Sequence, residues 1–235
     1  MFDIRLAGLR IRIENRYSFI ERQCRDYCCD EGEVAFSVSV SNEEILEEQK
    51  HGEFSEDYCE SVCMYRNICE KIAFYNVFLL HSSVIEVDGR AYAFAAKSGV
   101  GKSTHTSLWL KNIPGARVLN GDKPLYRVEE DGSITVFGTP WNGKEGYGKR
   151  GTALLSGIAF LERGEDNSYK SLKTSEGLVR FMGQIYMNKE NPFVLTRTLR
   201  LADKVLSEVP LYELRCNMDI SASECAAEAF GIKEL

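Results

Sequence analysis

A tight hairpin that runs straight into a glycine-bounded loop constrains this chain more than any other feature. Two alternating apolar runs, SVIEV and RAYAFA, flank Asp88-Gly89, a two-residue signal for an antiparallel turn. The second run leads directly into residues 96–104, AKSGVGKST, and STHTSLWLKN then reads as a helix that ends before Pro114-Gly115. A small residue, four spacers and Gly-Lys-Ser form a phosphate-binding loop pattern. Gly99 and Gly101 let the backbone curl so that successive N–H groups face an anion. Lys102 supplies a mobile cation, Ser103 a hydroxyl for Mg²⁺, and the new helix its positive N-terminal end. The expected nucleotide cradle is Ser98, Gly99, Val100, Gly101, Lys102, Ser103 and Thr104. Ala96 stands where the pattern has its first glycine, a small departure that still lets the strand turn. The same strand–loop–helix order also occurs in turns that bind nothing.

A net charge of −6 over 235 residues argues against broad nucleic-acid binding, because no cationic stripe dominates. The first apolar stretch, MFDIRLAGLRIRIENRY, carries Asp3 and several arginines, so neither an export signal nor a membrane anchor is expected there. No run approaches the roughly 18–20 apolar residues of a membrane span. A cytoplasmic location is the expectation. The eight cysteines form no Cys-x-x-Cys pair, and reduced cysteines acting as small apolar residues are expected in place of zinc or disulfides.

Along the chain, FDIRL, RIRIE and VAFSVSV alternate like half-buried strands, and Ser41 to Glu44 reads as a capping box. Apolar residues at Tyr58, Val62, Tyr65, Cys69 and Ile72 predict one long helix over about 55–79. ARVLN predicts a strand ending at Gly121-Asp122-Lys123, PLYRV and SITVFG a second hairpin, and ALLSGIAFL a buried strand. Helices are expected near 174–188, 193–207 and 221–230, with strand LYELRC before the last. A hairpin entering the loop means that parallel and antiparallel pairing must mix in one sheet. The expected organisation is a β-rich portion at 1–54, packed on a nucleotide-binding domain at 55–235.

LLHSSVIEVDG, AKSGVGKSTHTSLW, LNGDKPLYR, GTPWNGK and GIAFLERG, taken in order, resemble the HPr serine kinase and phosphoenolpyruvate-carboxykinase superfamily, in particular small bacterial HPr-kinase-like proteins. The resemblance covers about residues 70–165 and is looser at both ends. It implies an α/β fold of the phosphoenolpyruvate-carboxykinase-like type, with a mixed parallel and antiparallel sheet. It also implies ATP with Mg²⁺ or Mn²⁺ as cofactors, Lys102 and the loop on the triphosphate, Ser103 and Asp122 on the metal, and His81 near the transferring phosphate. Asp122 has an independent reason for its role, since an acid ending a neighbouring strand faces Mg²⁺ opposite Ser103. It also fits an ordinary turn residue. Relatives carry two adjacent acids, and the first takes the proton from the attacking hydroxyl. This chain has Gly121 there. Either Asp122 fills both roles, or another group such as His81 acts as base, or catalysis is weak. On that reading, Gly121→Asp is expected to raise phosphoryl transfer unless the turn needs glycine. His81 reads equally as a strand-start histidine, and His105 as a local packing residue.

Residues 138–151, GTPWNGKEGYGKRG, set Trp141, Lys144, Lys149 and Arg150 in a glycine-rich stretch beside a single acid, Glu145. Such a loop is expected to be mobile and to close over an anionic substrate, or else to be a solvated surface loop. Trp141 either stacks on a ligand or anchors the loop. The functional expectation is a kinase that moves the γ-phosphoryl group of ATP to a serine-like hydroxyl on a protein, peptide or small molecule. The alternatives are a catalytically weak nucleotide-binding sensor or adaptor and, ranked last, a phosphoenolpyruvate-carboxykinase-like enzyme, for which the chain looks short. Neither nucleic acid nor membrane is an expected partner, and a homo-oligomer is possible.

Overall fold

The computed structural model describes residues 1–232, and they form two sheets. In the smaller, β1 (Phe2–Leu6) and β2 (Leu9–Glu14) make a hairpin, with φ of 46° at Ala7 and 78° at Gly8. Two positive φ values in a two-residue loop match the right-handed twist of the flanking strands. β3 (Val34–Ser39) returns parallel to β2 after α1 (Ser18–Gln23) and a short 3-10 turn. The alternation is fulfilled: Ile4, Leu6, Ile11, Ile13 and Val38 are buried in one cluster. α2 (Asn42–Gln49) starts at the capping box, with the Ser41 side chain accepting from the Glu44 N–H and the Glu44 side chain from the Ser41 N–H. α3 (Glu56–Ile72) covers this sheet with Cys59, Cys63, Met64, Ile68 and Ile72.

The helix expected to reach Leu79 stops at Ile72. A 3-10 turn follows, Asn76 takes a left-handed conformation (φ 60°), and Val77–Leu79 becomes β4, antiparallel to β8 (Leu125–Val128). Helical periodicity continued into this stretch only by coincidence of apolar residues. β4 is an edge strand of the larger sheet, yet Val77, Phe78 and Leu79 are all buried, and asparagine tolerates the left-handed turn before it. The buried stripe of α3 is also rotated from the expected one, leaving Tyr58 exposed.

The larger sheet has nine strands, and β5 (Ser82–Val87) and β6 (Arg90–Ala95) form its central hairpin around Asp88 and Gly89, both at positive φ. β7 (Arg117–Asn120) flanks β5, while β9 (Ile134–Phe137) joins β8 to the twelve-residue β10 (Thr152–Arg163). β10 runs parallel to β6 and to β12 (Leu211–Cys216), but antiparallel to β9, so the expected mixture of pairings is present in one sheet. β11 (Ser168–Ser171), not anticipated from the sequence, pairs with β12.

Alternation along β5 and β6 sends residues to two cores. Ile85, Val87, Tyr92 and Phe94 meet Trp109 of α4 (Lys102–Asn112) and Ala226 of α7 (Ser221–Ala229). Val84, Ala91, Ala93 and Ala95 meet Tyr126, Val136 and the Leu201 and Val205 side chains of α6 (Pro192–Glu208). The helix predicted over 174–188 is shorter, with α5 spanning Thr174–Met182. Beyond Gly183 the chain turns extended, and Tyr186 N–H donates to the Leu79 carbonyl while His81 N–H donates to that of Gln184. Main-chain pairing with the β4–β5 connection wins over continued helix, and it fixes the backbone that carries His81.

Four of the eight cysteines (Cys24, Cys59, Cys63 and Cys69) are buried as small apolar residues, and burial pushes the Cys63 thiol up to about 11. Among the described residues no helix is long and apolar enough to cross a membrane.

Candidate functional site

β6 delivers the loop 96–101, and α4 begins at Lys102. Gly99 (φ 79°) and Gly101 (φ 127°) take conformations that side chains resist, so the two glycines are there for the backbone path. Ala96 is buried and is not at positive φ, which explains why alanine is accepted in its place. No side chain caps α4, so the first-turn amides of Lys102, Ser103 and Thr104 lack intrahelical partners. The Lys102 Nζ folds back over the loop to donate to the Ala96 carbonyl at 3.2 Å. Burial lowers the pKa of Lys102, against the opposing pull of the Asp122 carboxylate.

The helix is locked from below. Ser83 Oγ and Thr106 Oγ1 lie 2.6 Å apart, joining β5 to α4. His105 is buried edge-on to Phe94, and its Nε2 accepts from Trp109 Nε1 at 3.0 Å. Burial depresses its pKa to about 4, so His105 packs as a neutral ring, as its sequence position implied.

The turn after β7 is built by Asn120, which is fully buried. Its Oδ1 accepts from the N–H groups of Asp122 (2.9 Å) and Lys123 (2.8 Å), and its Nδ2 donates to the carbonyl and hydroxyl of Thr139. Thr139 Oγ1 in turn donates to the Lys123 carbonyl at 2.8 Å. This Asx-type turn aims Asp122 at His81, with 2.8 Å between Oδ1 and Nε2. Burial raises the Asp122 carboxyl, but the His81 hydrogen bond and the charges of His81, Lys123 and Lys102 outweigh it and leave the pKa below the ordinary value. An ionised carboxylate only accepts, so Nε2 is the donor to Asp122 and Nδ1 is the ring nitrogen left outside that bond. Asn120→Ala removes the acceptor of two amides and is expected to cost about 1–3 kcal/mol, read as a lower urea midpoint. An unchanged midpoint would mean that the turn holds itself.

A cavity of about 680 Å³ brings most of the expected residues together: His81, Ser98, Gly99, Gly101, Lys102, Ser103, Thr104, Asp122, Trp141 and Lys144 all line it. Val100, Lys149 and Arg150 do not. The Val100 side chain packs against the core beneath α4, the Lys149 N–H bonds to the Leu119 carbonyl, and Arg150 Nη1 reaches the Asp26 carbonyl at 3.2 Å. Trp141 is an anchor: its ring stacks on Tyr65 at 4.0 Å and 8°, and Nε1 donates to the Ser61 carbonyl and hydroxyl. One wall was missed from the sequence. Gln23, Tyr58, Ser61 and Val62, from α1 and α3, face the loop across the cavity. Gln23 bonds both Ser61 Oγ and the Pro140 carbonyl. Nothing local marks these residues, since their partners lie far along the chain.

The 138–151 segment is more tightly held than its glycine content implied. Gly121 N–H donates to the Tyr147 carbonyl, Lys149 N–H to Leu119 and Gly138 N–H to Gly151, so main-chain bonds hold both ends of the segment, while residues 143–147 and the side chains of Lys149 and Arg150 are exposed. The approach explains Gly121. A Cβ there would lie 2.7 Å from the Asn142 carbonyl oxygen and 3.1 Å from that of Tyr147, although its φ is ordinary. The backbone of this segment occupies the room that an acid at 121 would need.

Ser103 and Asp122 offer hard oxygens on the same cavity. Mg²⁺ and Mn²⁺ suit such oxygens, and Mg²⁺ commonly takes one or two protein ligands and completes its shell with phosphate oxygens and water, so the residues fit that ion.

No family model matches this chain, and no curated protein does. Among solved structures, the HPr(Ser) kinase/phosphatase from Coxiella burnetii is similar over 54% of this chain and 98% of that one, at 11% identity and a TM-score of 0.32. A likeness at that level carries no argument about function, and what stands is a mixed α/β fold with a polar cavity at the end of β6.

Proposed function

We propose that this protein is an ATP-dependent phosphotransferase that moves the γ-phosphoryl group onto a serine-like hydroxyl of a protein, peptide or small molecule. The observation that carries the reading is convergence: the glycine loop, Lys102, Ser103, Asp122 and His81 share one cavity, although they come from separate segments. Loop and first-turn amides with Lys102 hold the triphosphate, and they strengthen as charge shifts toward the leaving oxygen. Ser103 and Asp122 would hold a divalent ion, which would supply charge neutralisation to the phosphates. The acceptor oxygen forms its bond to the γ-phosphorus as the bond to the β–γ bridging oxygen breaks, and ADP leaves. The hydroxyl proton passes to His81, whose imidazolium is stabilised by the Asp122 carboxylate 2.8 Å away.

A second reading, a nucleotide-binding sensor with little catalysis, is favoured by Gly121, where no carboxylate is available. Incubation with γ-labelled ATP, Mg²⁺ and panels of seryl peptides and small alcohols separates the two. Acceptor-dependent formation of ADP and a phosphoester supports the transferase. ATP that binds but is never turned over with any acceptor supports the sensor.

A further inference from the structure

We propose that Arg163 is the positioning residue of the 96–101 loop, acting from behind the cavity to turn the Gly101 amide toward a bound phosphate. The inference deepens the nucleotide reading above and rests on it.

The last β6–β10 pair is Ala95 with Phe160, and β10 continues for three more residues beside the loop. That overhang ends in Arg163. Its Nη2 donates to the Gly99 carbonyl at 2.5 Å and its Nε to the Val100 carbonyl at 3.3 Å. Glu162, next to it, is engaged by Arg180, and Arg163 makes no ion pair among the described residues. One guanidinium therefore gathers two successive carbonyls of the loop, a fork geometry that lysine's single ammonium lacks.

Peptide geometry carries the consequence. In a trans peptide the C=O and the following N–H point in opposite directions. With the Gly99 carbonyl on Arg163, the Val100 N–H turns the other way and closes a turn onto the Lys97 carbonyl at 3.3 Å. With the Val100 carbonyl on Arg163, the Gly101 N–H faces away from the guanidinium. Gly99 and Gly101 line the cavity and Arg163 does not, so the free amide is turned to the side where an anion would sit. Both glycines are at positive φ, where neighbouring peptide planes flip readily unless something holds them. Holding them in advance lowers the ordering cost of binding.

Calorimetry on wild type, Arg163→Ala and Arg163→Lys with Mg·ATP, Mg·ADP and pyrophosphate tests this, beside amide NMR of the ligand-free proteins. Arg163→Ala is expected to weaken all three ligands by a similar factor, about tenfold for losing a charged hydrogen bond, with Arg163→Lys in between. The Val100 and Gly101 amide resonances are expected to move before any ligand is added. Unmoved resonances with unchanged affinity would overturn the proposal. So would a loss confined to ATP with unmoved resonances, because that marks direct contact with the γ-phosphate. If wild type binds none of the three ligands, the nucleotide reading fails, while the ligand-free Gly101 resonance still reports whether Arg163 orients the loop.

Discussion

Replacing His81 by alanine is expected to slow phosphoryl transfer by about 10²–10⁴-fold, the usual span for a general base, while leaving Mg·ATP affinity within about threefold. The split follows from placement. His81 shares the cavity with Lys102 but is bonded to Asp122, and its side chain is about one-third exposed (34%), so its removal leaves the core intact. Asp122→Asn is the informative partner. It removes the carboxylate charge that orients the ring and leaves a neutral amide oxygen in place of the charged ligand offered to a metal. It is expected to lower both turnover and the Mg²⁺ dependence of ATP binding. Single-turnover rates and calorimetry on both variants decide the assignment. A His81→Ala protein with normal turnover beside an inactive Asp122→Asn protein would make Asp122 the base and His81 its support.

Gly121→Asp is expected to fail as a restoration of the missing acid. On sequence grounds alone the substitution should have raised transfer. The structure reverses that expectation, because the new Cβ would meet two backbone carbonyl oxygens, at 2.7 and 3.1 Å, and neither belongs to a side chain that can swing away. An aspartate also brings negative charge toward those oxygens. Overpacking of this kind costs about 1–3 kcal/mol, and relief requires the 142–147 backbone to leave the turn. The expected result is a lower denaturation midpoint, faster amide exchange at Gly121 and Lys149, and no gain in transfer. A Gly121→Asp protein of wild-type stability with faster transfer would show that the segment yields and that the position is catalytic after all.

Local signals were legible where turn chemistry decides the structure. Asp88-Gly89 marked the central hairpin, the glycine spacing marked the loop and the start of α4, and Ser41 with Glu44 marked the start of α2. Legibility failed where a tertiary partner decides. Val77–Leu79 carries the same apolar spacing as the helix before it, and only pairing with β8 makes it a strand. The chain leaves the helical path after Gly183 because the Gln184 carbonyl and the Tyr186 N–H pair with the β4–β5 connection. In the candidate site, the loop, Asp122 and His81 were readable as residue types. The wall from Gln23 and Tyr58 to Val62 was not, because it meets the loop only through the packing of α1 and α3. Gly121 could be seen as an absence of acid, but its cause is a close backbone approach that no spacing encodes.

Calorimetric titration of Mg·ATP into wild-type protein and Lys102→Ala tests the central claim most directly. Lys102 places the cavity's half-buried ammonium over the loop, and its loss removes a charge-assisted contact to the outer phosphates. The account predicts saturable binding to wild type and a loss of about 1.5–3 kcal/mol in the variant, or roughly 10–150-fold in Kd. No binding to wild type at high micromolar Mg·ATP, or equal binding by both proteins, would contradict it.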